Sequence, residues 1–358
     1  MSIKSSRHGG DVFGLSEEEQ DKVFDFSINI NPLGLSPKGR QALMAHWEKE
    51  TLRYPDVECR ALKKSLSIRY GISEESMALG NGATELMYKL IELLHPKKVI
   101  VPAPSFSEYR LSAEAAGCPV DSFLLTADRG FVLPLEEIEK KLLPHSLIYL
   151  GHPNNPDGQL LSPADFEAVL HLVKKKESFL IIDESFIDFV GDDVSYRRVL
   201  VKETCGAVVM SLTKFYAVPG LRIGAAFLHP ALAERLRDML IPWNVNGLAQ
   251  SYMTAAAQDL DYIKDSRVYC QTEREKLSAA LEALDFIKVL PGSVNFILCQ
   301  LIGKFETTGK LQKALMPYHI FIRQCGNYEG LGETYFRVAV RTEEENQILI
   351  KVLGAVEN

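Results

Sequence analysis

Lys214 follows an apolar run at 207–210 and is flanked by the hydroxyls of Ser211 and Thr213. Further on, Arg222 sits in a Pro-Gly-Leu-Arg-Ile-Gly turn at 219–224. A lysine drawn out of water loses its proton more readily, and the free amine attacks carbonyls. Hydroxyls and a guanidinium beside it bind phosphate. These two capacities suit a cofactor that carries both an aldehyde and a phosphate. Alone, the same lysine would read as a surface residue after a strand, so the assignment rests on what else the chain supplies.

A cofactor of that description, pyridoxal phosphate, makes further demands. Its pyridine nitrogen needs a buried carboxylate, its phenolic oxygen a donor, its phosphate a set of amides and its ring a cover. Asp183 closes the apolar run 179–182 and suits the first task. Asn155, in Pro153-Asn154-Asn155-Pro156, carries an amide for the second. Gly82-Ala83-Thr84 opens a stretch with Leu86, Met87, Leu90, Ile91 and Leu94 at helical spacing, so Ala83 and Thr84 offer helix N-terminal amides. Phe106, in Pro104-Ser105-Phe106-Ser107-Glu108-Tyr109, can cover the ring. Each has a blander reading: a capping aspartate, a turn asparagine, a core phenylalanine.

Positioning such a set takes a particular scaffold. The runs 99–101, 147–150, 179–182 and 207–210 are apolar without polar alternation and are separated by helical patterns. That predicts strands of a parallel sheet covered on both faces, the first ending at Pro102. Ligands bind such sheets at the C-terminal strand ends, where Asn155, Asp183 and Lys214 all fall. Beyond residue 246 the pattern is helical to about 284, then gives strands at 295–298, 321–323 and 335–340 and a helix from about 343. The expected division is an N-terminal arm at 1–48, a large α/β domain at 49–246 and a small α+β domain at 247–358. Asn, Pro and Gly between 25 and 34 read as an extended segment ending in a turn, and Tyr54-Pro55 as a loop.

The 358-residue chain has a net charge of -7 and a pI near 5.7, which argues against nucleic acid as a partner. The six cysteines are scattered with no CxxC pair, and the eight histidines show no ligand spacing. A reducing compartment is expected, with neither a disulfide framework nor a metal site. Residues 1–10 are polar and no run approaches a membrane span, so the expected location is the cytoplasm.

Taken in order, Gly-x-Gly-Ala-Thr-Glu, Pro-x-Phe-x-x-Tyr, Pro-Asn-Asn-Pro-x-Gly, Asp183-Glu184 and Ser211-x-x-Lys214 with Arg222 resemble the fold-type-I enzymes that use pyridoxal 5'-phosphate. That resemblance implies an α/β fold with a mostly parallel central sheet in a large domain and a smaller α+β C-terminal domain. It implies that Lys214 takes the cofactor aldehyde, Asp183 pairs with the pyridine nitrogen and Asn155 contacts the phenolic oxygen. Ala83, Thr84, Ser211 and Arg222 would hold the phosphate, and Phe106 would stack on the ring. Tyr54 would reach the phosphate of a neighbouring subunit, which implies a homodimer with the active site at the subunit interface.

Within the class, His8-Gly9-Gly10, Asp25-Phe26-Ser27-x-Asn29-x-Asn31-Pro32-Leu33-Gly34, Pro242-Trp243 and Arg323-x-Cys-x-Asn-Tyr-x-Gly-Leu331 resemble the threonine-phosphate decarboxylases of cobalamin biosynthesis. The alternative is a histidinol-phosphate-type aminotransferase, which uses 2-oxoglutarate and glutamate. Phe186 stands where such aminotransferases carry a tyrosine, and a phenylalanine cannot donate to the phenolic oxygen; it also reads as a core aromatic. The resemblance assigns His8, Gly9, Asn29, Asn155, Arg323 and Arg337 to the phosphate and carboxylate of a phosphorylated amino acid, leaving open which anion each binds. Arg337 lies among apolar strand residues, where an unpaired guanidinium costs several kcal/mol, and that favours a ligand role. A regulator's effector domain would need a basic helix-turn-helix extension, and the chain has none.

Overall fold

A computed structural model describes residues 9–10 and 12–357. Its central sheet has seven strands: β1 (Met77–Gly80), β2 (Val99–Ala103), β3 (Val120–Leu124), β4 (Leu147–Gly151), β5 (Phe179–Asp183), β6 (Gly206–Ser211) and β7 (Gly224–Leu228). Their spatial order is β1-β7-β6-β5-β4-β2-β3. The pairs from β6 to β3 are parallel, while β7 runs antiparallel to both β6 and β1.

Burial on both faces explains the apolar runs. Along β5, Leu180 and Ile182 enter the core under helices Arg60–Tyr70 and Pro163–Lys175. Phe179 and Ile181 enter the opposite core with Leu86, Met87 and Leu90 of helix Ala83–Leu94 and Tyr109 of helix Glu108–Ala115. The second strand runs through Pro102 to Ala103, one residue past the expected end. Its pairing with β4 extends only to Ile100, so the donor that Pro102 lacks removes no ladder bond on that side.

A second, four-stranded antiparallel sheet is built from β8 (Ile287–Val289), β9 (Phe296–Leu301), β10 (Arg323–Gln324) and β11 (Tyr335–Ala339), in the order β10-β11-β9-β8. The strand expected at 321–323 is broken. Ile320–Phe321 pairs in parallel with Phe24–Asp25, whereas Arg323 pairs with Arg337 across β10 and β11. Two short pairings thus draw the segment after residue 23 and the Arg323 loop onto one small core that holds Phe26, Ile320, Ile322 and Phe336. Among the described residues no helix is long and apolar enough to cross a membrane.

Candidate active site

Three C-terminal strand ends converge. Asp183 ends β5 as a buried carboxylate, its Oδ2 accepting from the Tyr109 hydroxyl at 2.7 Å and its Oδ1 from the Ser185 amide at 2.9 Å. Burial raises its pKa, against the pull of those donors and of Lys214, so a cation brought to it would keep it ionised. The next residue, Glu184, is turned elsewhere: it accepts from Ser195 and the Tyr196 amide and lies 3.5 Å from buried Arg197, which anchors the strand end.

Lys214 follows β6, and its Nζ donates to Ser211 Oγ and Thr213 Oγ1, each at 3.1 Å. Burial brings its pKa down to about 8, opposed by Asp183 and helped by the positive charges of Arg222 and Arg337. A substantial share of neutral amine is therefore present just below that pH. Capture of pyridoxal phosphate by cofactor-free protein, followed by absorbance, should speed up about tenfold per pH unit below about 7 and level off above about 8. A rate still climbing above about pH 9.5 would mark an ordinary lysine and contradict this environment.

Beside the lysine lies a cradle suited to phosphate. Helix Ala83–Leu94 starts after Gly82, which has φ 81° and makes no side-chain cap, so the Ala83 and Thr84 amides are unclaimed by a capping group. A Cβ at Gly82 would collide with the Arg222 guanidinium, and one at Gly224 would come within 2.8 Å of Ala83 Cα. Two glycines thus let an arginine and a strand approach the helix start. With Ser211 and Thr213 buried alongside, the donor set fits a phosphate, and the carboxylate of Asp183 fits a protonated ring nitrogen.

Opposite the lysine stand two arginines. Arg337 and Arg323 are direct cross-strand partners, both buried. The Arg337 guanidinium donates to Asn155 Oδ1 and, at 3.1 Å, to the Ser27 carbonyl. With its amide oxygen facing the guanidinium, Asn29 accepts from both Arg337 nitrogens at 3.2 Å. The Arg337 guanidinium carbon also lies 5.0 Å from the centre of the Phe296 ring. Every one of these partners is neutral, and burial, with Arg323 adding to it, presses the Arg337 pKa below its ordinary range. Arg323 donates to Asn327 Oδ1 at 3.0 Å and lies over the Tyr328 ring. The two guanidiniums lie side by side, and the pair forms a receptor for anions.

The chain therefore brings together Lys214, Asp183, Ser211, Ala83, Thr84 and Arg222 on one side and Asn155, Asn29, Arg323 and Arg337 on the other. Gly9 and Gly10 lie on Ser27, whose Oγ accepts from the Gly10 amide at 2.8 Å, so this segment reaches the Arg337 side. His8 lies outside the described residues. Phe106 meets Tyr109 edge-on at 5.9 Å. Phe186 packs edge-on against Phe296 at 5.0 Å, the ring beneath Arg337. Tyr54 stands apart: it is 81% exposed and packs on Trp243 at 4.8 Å.

Tyr109 stood in the Pro-x-Phe-x-x-Tyr motif with no role of its own, whereas Thr213 was expected beside Lys214 and lies there. The signal for Tyr109 was its spacing of three from Phe106, which puts both on one face of a helical turn. Asn154 braces the loop that carries Asn155, donating to the Pro104 carbonyl at 3.1 Å and to Asp157.

Residues 21–353 match the family model described as aminotransferase class I and II. The threonine-phosphate decarboxylase of Salmonella typhimurium is 32% identical over 365 residues, 99% of this chain and 98% of that protein. The adenosylcobalamin biosynthesis bifunctional protein CobDQ of Leptospira interrogans is 33% identical over 98% of this chain, which spans 41% of that protein's length. Among solved structures, the histidinol-phosphate aminotransferase from Clostridium acetobutylicum aligns with a TM-score of 0.85 and 30% identity, covering 93% of this chain and 98% of that one.

Proposed function

The chain belongs to the aminotransferase class I and II family, and from that premise we propose that it decarboxylates L-threonine O-3-phosphate to (R)-1-amino-2-propanol O-2-phosphate, a building block for cobalamin. The observation that carries this reading is the buried pair Arg323 and Arg337, direct cross-strand partners facing the Lys214 end of the sheet. A substrate with a carboxylate and a phosphate matches two guanidiniums. The near-full-length similarity to a threonine-phosphate decarboxylase supports the same substrate.

Pyridoxal phosphate is the cofactor, and when bound it supplies the sink for the electron pair left as a bond to the substrate Cα breaks. The chain's own residues decide the rest. Ala83, Thr84, Ser211 and Arg222 would bind the cofactor phosphate, Asp183 would keep a proton on the ring nitrogen, and Phe106 would cover the ring. Lys214, released by the substrate amine, is placed to deliver a proton to Cα once carbon dioxide has left. Which bond breaks depends on which one is held perpendicular to the ring, and that is set by where the arginines seat the carboxylate. Phe186 brings no hydroxyl to the site, consistent with a departure from the transaminase pattern.

A homodimer completes the reading. Met44, Trp47, Leu52, Tyr54 and Trp243 are large apolar side chains exposed on one chain, 50% or more for each. A second copy covering them would bring Tyr54 to the partner's cofactor phosphate. The test of function is turnover without a keto acid: purified enzyme with pyridoxal phosphate should consume L-threonine O-3-phosphate to completion with no 2-oxoglutarate present. An absolute requirement for 2-oxoglutarate, with glutamate formed, would make the protein an aminotransferase.

A further inference from the structure

We infer that Glu329 is a positioning residue: it clasps the loop that carries the Arg323 contacts to the large sheet, and so fixes the anion receptor against the cofactor side. This rests on the function proposed above. Glu329 Oε2 accepts from Arg110 Nη2 at 2.8 Å, and its Oε1 accepts from the Ser122 hydroxyl. Arg110 lies on helix Glu108–Ala115, directly after Tyr109, the partner of Asp183. Ser122 lies on β3, the edge strand of the large sheet. One carboxylate thus ties the small-sheet side of the molecule to two elements of the large one.

The same loop carries the groups around Arg323. Asn327 accepts from its guanidinium, and the Tyr328 ring lies beneath it at 5.2 Å. The loop closes on itself through Tyr328 N to the Cys325 carbonyl and Leu331 N to the Tyr328 carbonyl, at 3.0 and 3.1 Å. Gly330 then lays the backbone on the end of β2: with φ 88°, a Cβ there would sit 3.1 Å from the Ala103 carbonyl oxygen. Between loop and helix is a cavity of about 300 Å³ bordered by Phe106, Arg110, Arg323, Asn327, Tyr328 and Glu329. Glu329 therefore spans the outer rim of a space with Phe106 on one wall and Arg323 on the other. Within its own helix Arg110 has a weaker option, Glu114 at 3.8 Å, so the shorter bond goes across the gap.

Both members of the ion pair are partly exposed, 34% for Arg110 and 49% for Glu329, so the pair adds little to global stability. Its effect should instead be local. In the cofactor-loaded enzyme, Glu329→Gln should speed amide hydrogen exchange over residues 325–331 about tenfold and leave the melting temperature unchanged. The KM for L-threonine O-3-phosphate should rise about fivefold with kcat within about twofold. The double variant Arg110→Glu with Glu329→Arg should recover most of both losses. Unchanged exchange in Glu329→Gln overturns the clasp, raised exchange with an unchanged KM overturns the positioning role, and a double variant no better than the single overturns the ion pair as its cause. Exchange needs no turnover: a clear exchange difference in an enzyme that releases no carbon dioxide would uphold the clasp and reject the proposed function.

Discussion

Lys214→Ala should lose the visible absorption band of the cofactor-loaded protein and at least about 10⁴-fold in turnover. The lysine is the amine that burial, Arg222 and Arg337 hold near a pKa of about 8, beside the uncapped start of helix Ala83–Leu94. Alanine cannot take the aldehyde or carry a proton to Cα. The phosphate cradle is built from other residues, so pyridoxal phosphate should still bind, with weaker affinity and the spectrum of the free aldehyde. A variant that kept the band would place the reactive amine elsewhere and reject the assignment of Lys214.

Arg337→Met should lower kcat/KM for the phosphorylated amino acid about 10³-fold, near 4 kcal/mol, because a buried anion would then face no paired charge. Arg337→Lys should recover only part of that loss, since an ammonium cannot donate in a fork to Asn155, Asn29 and the Ser27 carbonyl at once. The opposite sign is expected for stability. A guanidinium buried among neutral partners burdens the cofactor-free fold, so the methionine variant should melt at or above the parent temperature. Activity retained within about tenfold, or a large fall in melting temperature, would make Arg337 a structural residue.

The sequence made parts of this molecule readable for specific reasons. Strands β2, β4, β5 and β6 showed as apolar runs because both of their faces are buried. The flanking strands did not show. In β3, Val120, Asp121 and Ser122 are only partly buried, as befits an edge, and β7 begins with Gly224 because the start of helix Ala83–Leu94 lies directly on it. Lys214, Asp183 and Asn155 were legible because each follows a strand, and parallel sheets collect ligands there.

The arginine receptor was legible only as a set of residue types. Its geometry depends on Asn155 meeting Arg337 across 182 positions, and on a break between Phe321 and Arg323 that sends neighbouring residues to different sheets. Local pattern carries neither fact. Tyr54 marks a different boundary: in one chain it is a surface tyrosine, and only a second subunit would give it a site to serve.

Carboxyl-labelled L-threonine O-3-phosphate in deuterium oxide tests the central claim most directly. With purified enzyme, pyridoxal phosphate and no keto acid, decarboxylation predicts all of the label in carbon dioxide and one solvent deuterium on the carbon that lost it. Label retained in a 2-oxo acid, formed only when 2-oxoglutarate is added, would contradict it.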